Sequence, residues 1–135
     1  MQKKYLAIDY GERRTGTAFA DSSIGIAFPR ETIDRKEKDL WTELERLVKE
    51  NKVTDFVLGM PIHPNNHPDS KQKTVEKFGA ELQKKFPQIE LHVQDETYST
   101  QDAITLVGAA GRPDKKRIDK AAATVILQRF LEGNF

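Results

Sequence analysis

The chain has 135 residues, of which 37% are hydrophobic and 32% are charged, and these proportions suit one soluble globular domain over residues 1–135. It contains no cysteine, which excludes disulfide frameworks, zinc–thiolate sites and thiol nucleophiles, so a bound metal must use carboxylate oxygens or histidines. The net charge of +1 neither favours nor excludes a nucleic-acid partner. Because no apolar targeting segment and no run of membrane-spanning length is found, we expect a cytoplasmic protein without membrane contact.

The first third of the sequence predicts an antiparallel meander of three strands. The apolar run Tyr5–Ile8 ends at Asp9, and a turn that contains glycines leads to a second strand at Thr17–Ala20. A third strand is predicted from residue 24 to residue 33. Because Pro29 cannot donate to a central ladder, this strand should lie at an edge of the sheet or carry a bulge.

The remainder of the sequence alternates helices and strands. Apolar positions between Leu40 and Val48 recur at intervals of three and four residues, which is typical of an amphipathic helix. The later predicted elements are a strand at Val53–Leu58, a helix with a stripe from Val75 to Phe86, a strand at Ile89–Val93, a short helix around residues 103–107 and a final helix at Ile118–Leu131. This order predicts an α/β fold with a mixed five-stranded sheet, three antiparallel strands and then two parallel ones, and helices on both faces.

Acidic residues stand at the ends of these elements. Asp9 closes the first strand at its carboxyl end, where sites in such sheets open, although an Asx-turn would also explain it. Asp95 and Glu96 end the last strand, and alternation sends them to opposite faces, so that only one of them easily faces Asp9. The other would cap the next helix or form an ion pair with a basic residue. Asp119 is predicted to begin the final helix, where three alanines bring the helix close to the sheet, with a simple helix-end charge as the alternative.

A cluster of such carboxylates predicts a metal-dependent nuclease. Carboxylates a few ångströms apart repel each other unless a cation lies between them, and ligation by oxygen alone favours Mg²⁺ or Mn²⁺. Two such ions serve in-line hydrolysis of a phosphodiester bond. Basic residues flank the same positions, as a site for a phosphate backbone requires, although a solvated loop would also carry them. They are Arg13, Arg14, Arg112, Lys115, Lys116 and Arg117.

Several motifs, in order and over nearly the whole chain, resemble those of the YqgF family. They are Ala7–Gly11 with Arg14–Gly16, Gly59–Pro61, Asp95–Thr100, and Ile118–Ala122 with Ile126–Gln128. The resemblance implies a ribonuclease H-like fold, related to that of the RuvC-type resolvases, and a metal site formed by Asp9, Glu96 and Asp119, which favours Glu96 over Asp95. The chain departs from the family pattern at two places. It has Thr97 where the family usually carries arginine, and Asn65–Asn66 in a loop where the family usually carries glycine. Both departures concern substrate binding more than metal binding.

The family resemblance also sets the functional hypotheses. It implies a bacterial, cytoplasmic nuclease that matures the 5′ end of pre-16S rRNA, and an older proposal for the family is Holliday junction cleavage. A third hypothesis is a ribosome-assembly protein that binds RNA and has negligible catalysis. An actin-like or sugar-kinase-like ATPase shares the strand-turn-strand opening but needs two lobes, for which 135 residues leave no room. A resolvase should be a homodimer, whereas an end-trimming ribonuclease can act as a monomer.

Overall fold

The computed structural model of the chain describes residues 2–61, 70–96 and 115–133. The elements are β1 (Lys4–Asp9), β2 (Arg14–Asp21), β3 (Phe28–Asp34), α1 (Leu40–Asn51), β4 (Asp55–Met60), α2 (Ser70–Lys85), β5 (Glu90–Asp95) and α3 (Lys115–Leu131). The short helix predicted around residues 103–107 lies outside the described residues. None of the described helices is long and apolar enough to cross a membrane.

The five strands form one mixed sheet in the order β3-β2-β1-β4-β5. β1 pairs with β2, and β2 with β3, in antiparallel fashion, whereas β1, β4 and β5 run parallel to one another. This is the predicted topology. Because parallel strands end on the same side, Asp9, Met60 and Asp95 terminate their strands at one border of the sheet, which we call the tip edge.

Helices cover both faces of the sheet, as predicted. On one face, α1 and α2 bury residues such as Leu44 and Leu82 against Leu6 and Phe56. On the other face, α3 packs its buried alanines and leucine against small residues of β1 and β2, which lets the helix lie close to the sheet, as its alanines predicted. We call these the two-helix face and the α3 face.

Strand β3 follows the prediction from Pro29 but is shorter than expected. It lies at an edge of the described sheet, and its register with β2 shifts between Gly16 and Ala18. The predicted start at residue 24 is wrong, because the Asp21 carbonyl accepts bonds from the amides of Ile24 and Gly25, both at 3.0 Å. Gly25 has a φ of +76°, so a turn precedes the strand.

The boundaries of the helices depend on residues outside the apolar stripes. Helix α1 begins at the predicted Leu40, because the Asp39 carboxylate caps it by accepting the amide of Thr42 at 2.9 Å. Helix α3 begins at Lys115, upstream of the predicted Ile118, since the basic residues before Ile118 add no apolar signal. Asp119 therefore lies one turn inside the helix and does not begin it.

Candidate metal centre

The alternation of β1 determines which face Asp9 occupies. Leu6 and Ile8 are buried in the core of the two-helix face, whereas Tyr5 and Ala7 belong to the core of the α3 face. Because successive residues of a strand point to opposite faces, Asp9 continues the set that faces α3. It is half-buried, stands at the tip edge and pairs with Gly16 of β2.

Glu96 extends the parallel ladder one residue beyond β5. Its amide donates to the Met60 carbonyl at 3.0 Å, and its carboxylate lies beside Ile126 of α3, so Glu96 is on the same face as Asp9. Asp95 alternates to the opposite face. The side chain of Glu96 is only 9% exposed, and its Oε1 lies 3.9 Å from Nζ of Lys71, which is itself 63% exposed.

Gly59 lies in β4, between the two acidic positions. The pairing of Ile8 with Leu58 places Asp9 level with Gly59, whose partner in β5 is Gln94. A Cβ at Gly59 would lie 2.5 Å from Cδ1 of Ile126 and 3.0 Å from Oε2 of Glu96. The backbones of β1 and β5 are two strand spacings apart, about 10 Å, and the missing side chain of Gly59 lets Ile126 and the Glu96 carboxylate come close to the backbone of β4 between them.

The predicted basic contacts are described only in part. Arg13 is exposed, and its Nε lies 3.7 Å from Oδ1 of the buried Asp34, while Arg14 is half-buried opposite Asp34 in the sheet. The positions outside the described residues, or described for their backbone alone, are Asn65, Asn66, Thr97, Arg112, Lys115, Lys116, Arg117 and Asp119.

Comparison with protein families identifies the chain. The model of the family described as RuvX, Holliday junction resolvase, matches residues 3–133. This chain belongs to the RuvX family. The family named YqgF in the motif comparison is the same one, so that prediction is confirmed.

The curated relatives of this RuvX-family chain match it over nearly its full length. A protein of Dictyoglomus turgidum is 35% identical over 134 residues, which cover 96% of this chain and 94% of the relative. One from Maridesulfovibrio salexigens is 31% identical over 132 residues, covering 95% and 97% of the two chains. Both proteins carry the provisional name of pre-16S rRNA nuclease.

Solved structures show the fold. The yeast mitochondrial Holliday junction resolvase Ydc2 is similar with a TM-score of 0.61 at 9% identity, and the match covers 98% of this chain and 79% of Ydc2. RuvC of T. thermophilus, solved in complex with a Holliday junction substrate, gives a TM-score of 0.57 at 11% identity and coverage of 97% and 94%. The predicted ribonuclease H-like fold is therefore confirmed.

A second group of ligand-type side chains in this RuvX-family chain lies at the amino ends of β4 and β5, away from the tip edge. Asp55 opens β4, and its Oδ2 lies 2.8 Å from Nε2 of His92, with Glu90 completing a set of atoms within 4.8 Å of one another. Nζ of Lys3 lies 3.6 Å from Asp55 and 3.8 Å from Glu90. The lysine ammonium therefore already supplies a positive charge to these carboxylates, which accounts for the cluster as an ion-pair network that fastens the strand ends.

The buried Asp55 is ionised in this network. Burial acts to raise the pKa of its carboxyl group, but hydrogen bonds from Thr54 and His92 and the charge of Lys3 outweigh burial and hold the pKa below its ordinary value. Sequence patterns did not predict this group, because its members are far apart along the chain. The signal present in the sequence was an acidic residue at the start of a strand that is otherwise wholly apolar or glycine.

Proposed function

We propose that this protein is a metal-dependent nuclease that trims the 5′ end of pre-16S rRNA, with Asp9, Glu96 and Asp119 as ligands of Mg²⁺ or Mn²⁺. The observation that carries the proposal is the position of Asp9 and Glu96 on one face of the tip edge, on either side of Gly59. The choice of RNA over DNA is supported by the names of the curated relatives. A function in rRNA maturation would place the protein in the cytoplasm.

The donor set fits a hard divalent cation. Both described ligands are carboxylates, and oxygen ligands are those that Mg²⁺ and Mn²⁺ prefer. The Glu96 carboxylate is largely withdrawn from water, and the ammonium group of Lys71, at 3.9 Å, is too distant for a short hydrogen bond. A withdrawn carboxylate is costly without close compensation, which a cation held between Asp9 and Glu96 would provide.

The direction of α3 supports Asp119 as the third ligand. Ile126 lies beside Gly59 near the tip edge, whereas Phe130 packs on Tyr5 and His92, which are nearer the opposite edge. The helix therefore runs away from the tip edge, and Asp119 lies about 10 Å before Ile126 along its axis. A separation of seven residues also returns to the same side of a helix, so position 119 shares a side with Ile126.

The residues of the site have separate tasks in this proposal. Bound divalent ions supply activation of water and stabilisation of the leaving oxygen. Asp9, Glu96 and Asp119 hold the ions, and the buried Ile126 closes the inner side of the site against water. Lys71, exposed at its border, is placed to contact a substrate phosphate.

The test is cleavage by purified protein of precursor 16S rRNA and of a four-way DNA junction, each with Mg²⁺, Mn²⁺ or a chelator. We expect cleavage of the rRNA near the mature 5′ end with either metal, and none with the chelator. Glu96→Gln and Asp9→Asn should abolish cleavage, while Asp55→Asn, a matched change in the opposite acidic cluster, should retain it. Undiminished cleavage by Glu96→Gln would refute the metal site, and absence of cleavage by the unaltered protein would favour an RNA-binding assembly factor.

Holliday junction cleavage is the second candidate, because the family carries that description. A junction is two-fold symmetric, so paired incisions require two active sites in a homodimer. Preferential cleavage of the four-way junction, by a protein that sediments as a dimer, would establish this alternative over rRNA trimming by a monomer.

A further inference from the structure

A groove opens on the two-helix face of the tip edge and has no part in the metal site. It consists of two connected cavities, of about 820 Å³ and about 270 Å³, which share Tyr10, Glu12 and Thr74 along their walls. We call it the aromatic groove, after the three rings that stand in it. It runs between the turn after β1, the start of α1 and the first half of α2.

The rings form a stacked column. Phe78 lies between Tyr10, at a centroid distance of 4.2 Å and an interplanar angle of 19°, and Trp41, at 5.4 Å and 26°. The guanidinium of Arg35 covers the ring of Tyr10 at 5.0 Å and donates to its hydroxyl at 2.8 Å. The ammonium of Lys85 lies 4.9 Å from the centroid of Trp41. The column therefore ends in a flat cationic group on one side and a flexible one on the other.

The groove leads directly to the proposed metal site. Tyr10 follows Asp9 in the chain and faces the groove, whereas Asp9 faces α3. Lys71 lines the smaller cavity and is also the residue whose ammonium lies 3.9 Å from the Glu96 carboxylate. A chain that passed over the tip edge at this point would reach both the groove and the carboxylates.

The charge of the groove is nearly balanced. Among the described residues that line it, the cations are Arg35, Lys38, Lys71 and Lys77. The carboxylates are Glu12, Asp39 and Glu81. Asp39 is engaged in capping α1, where bonds from Thr42 hold the pKa of its carboxyl group below the ordinary value. Surfaces that grip a duplex through its phosphates are far more basic than this one.

We propose that the aromatic groove binds an unpaired RNA segment adjacent to the bond that is cut, an inference that rests on the proposed function. Unpaired bases stack on aromatic rings and on guanidinium planes, and this recognition tolerates any sequence and needs little net charge. The outer face of the Arg35 guanidinium offers one stacking surface. The face of Trp41 under the exposed Lys85 side chain offers a second, and Lys71 and Lys77 lie nearby for phosphates.

The protein contains its own reporter, because Trp41 is the sole tryptophan of the chain. The test titrates Glu96→Gln protein, which should not cut, with a single-stranded RNA dodecamer, the same dodecamer in a duplex, and a mononucleotide. We expect quenching of the tryptophan fluorescence by the single strand at concentrations at least tenfold below those needed for the other two. Equal quenching by duplex or mononucleotide, or none by the single strand, would overturn the proposal.

A matched pair of arginines separates the groove from general charge effects. Arg35 covers Tyr10 at 5.0 Å inside the groove, and Arg30 covers Phe19 at 5.1 Å on β3, outside it. In anisotropy titrations with labelled single strand, Arg35→Gln should weaken binding about tenfold, and Arg30→Gln should leave it unchanged. Equal effects of the two substitutions would contradict the groove. If the unaltered protein still cleaved rRNA normally, such a result would overturn the groove as a binding surface but not the proposed nuclease function.

Discussion

Replacing Gly59 by alanine tests whether the close approach of Glu96 to the backbone of β4 serves the metal site. The added methyl group would lie 2.5 Å from Cδ1 of the fully buried Ile126, and 3.0 Å from Oε2 of Glu96. Overpacking of a core by one methyl group costs about 1–3 kcal/mol, against which the entropic gain from replacing glycine contributes about 0.5–1 kcal/mol. We therefore expect Gly59→Ala to lower the free energy of unfolding by about 1–2 kcal/mol.

A second substitution separates the two contacts of that methyl group. Ile126→Val removes Cδ1, the nearer atom, and retains Cγ1, which lies 3.4 Å from the added position. On its own Ile126→Val should cost about 1 kcal/mol, but combined with Gly59→Ala it should restore much of the lost stability. The double-mutant cycle should therefore give a favourable coupling energy of about 1 kcal/mol.

Stability and activity should diverge in the double variant. The contact of the added methyl group with Glu96 persists, so metal-dependent cleavage should stay reduced although the free energy of unfolding recovers. Urea unfolding and single-turnover cleavage of precursor rRNA measure the two quantities. A stable double variant that cleaves at the full rate would show that the missing side chain of Gly59 serves the packing of Ile126 alone.

Two further predictions concern parts of the fold away from the tip edge. The pKa of Asp55 is lower in the folded chain than in the unfolded one, so the stability that its carboxylate contributes is complete above about pH 4 and declines as the pH falls further. Asp55→Asn should thus lower the free energy of unfolding by about 2 kcal/mol at pH 7, and by less at pH 3, as measured by urea titration. A loss that grew on acidification would contradict the ionised state of Asp55. Lys52 caps the carboxyl end of α1 in the left-handed conformation, with a φ of +52°, so Lys52→Gly should stabilise the chain by about 0.5 kcal/mol. A lower urea midpoint would show that the lysine side chain contributes more than its backbone conformation costs.

Local patterns predicted much of the fold. Apolar runs located β1 and β4 to within two residues, helical periodicity located the start of α1, and Pro29 by itself indicated an edge strand or a bulge. The errors arose where polar residues set the boundaries. The carbonyl of Asp21 accepts the hydrogen bonds of a turn, so that β3 begins later than predicted. The start of α3 consists of basic residues, which give no apolar periodicity.

The candidate site was predictable as far as its strand ends. The carboxyl ends of β1 and β5 follow from apolar runs, and alternation separated Asp95 from Glu96 without choosing between them. Deciding from the structure that Glu96, and not Asp95, faces Asp9 requires the register of β5 against β4 and the position of Ile126. Both depend on contacts between residues that are far apart in sequence. The same is true of the stack of Tyr10, Phe78 and Trp41, whose members belong to three different elements.

Binding of Mn²⁺ tests the central claim most directly, because each of two acidic clusters, at the two ends of the parallel strands, has side chains that could bind the ion. Titration of the metal followed by calorimetry or electron paramagnetic resonance should show binding to the unaltered protein and to Asp55→Asn. Binding should be lost in Asp9→Asn and in Glu96→Gln. Loss of binding in Asp55→Asn, with both tip-edge variants unaffected, would place the ion at the cluster of Asp55, Glu90 and His92 and contradict the account.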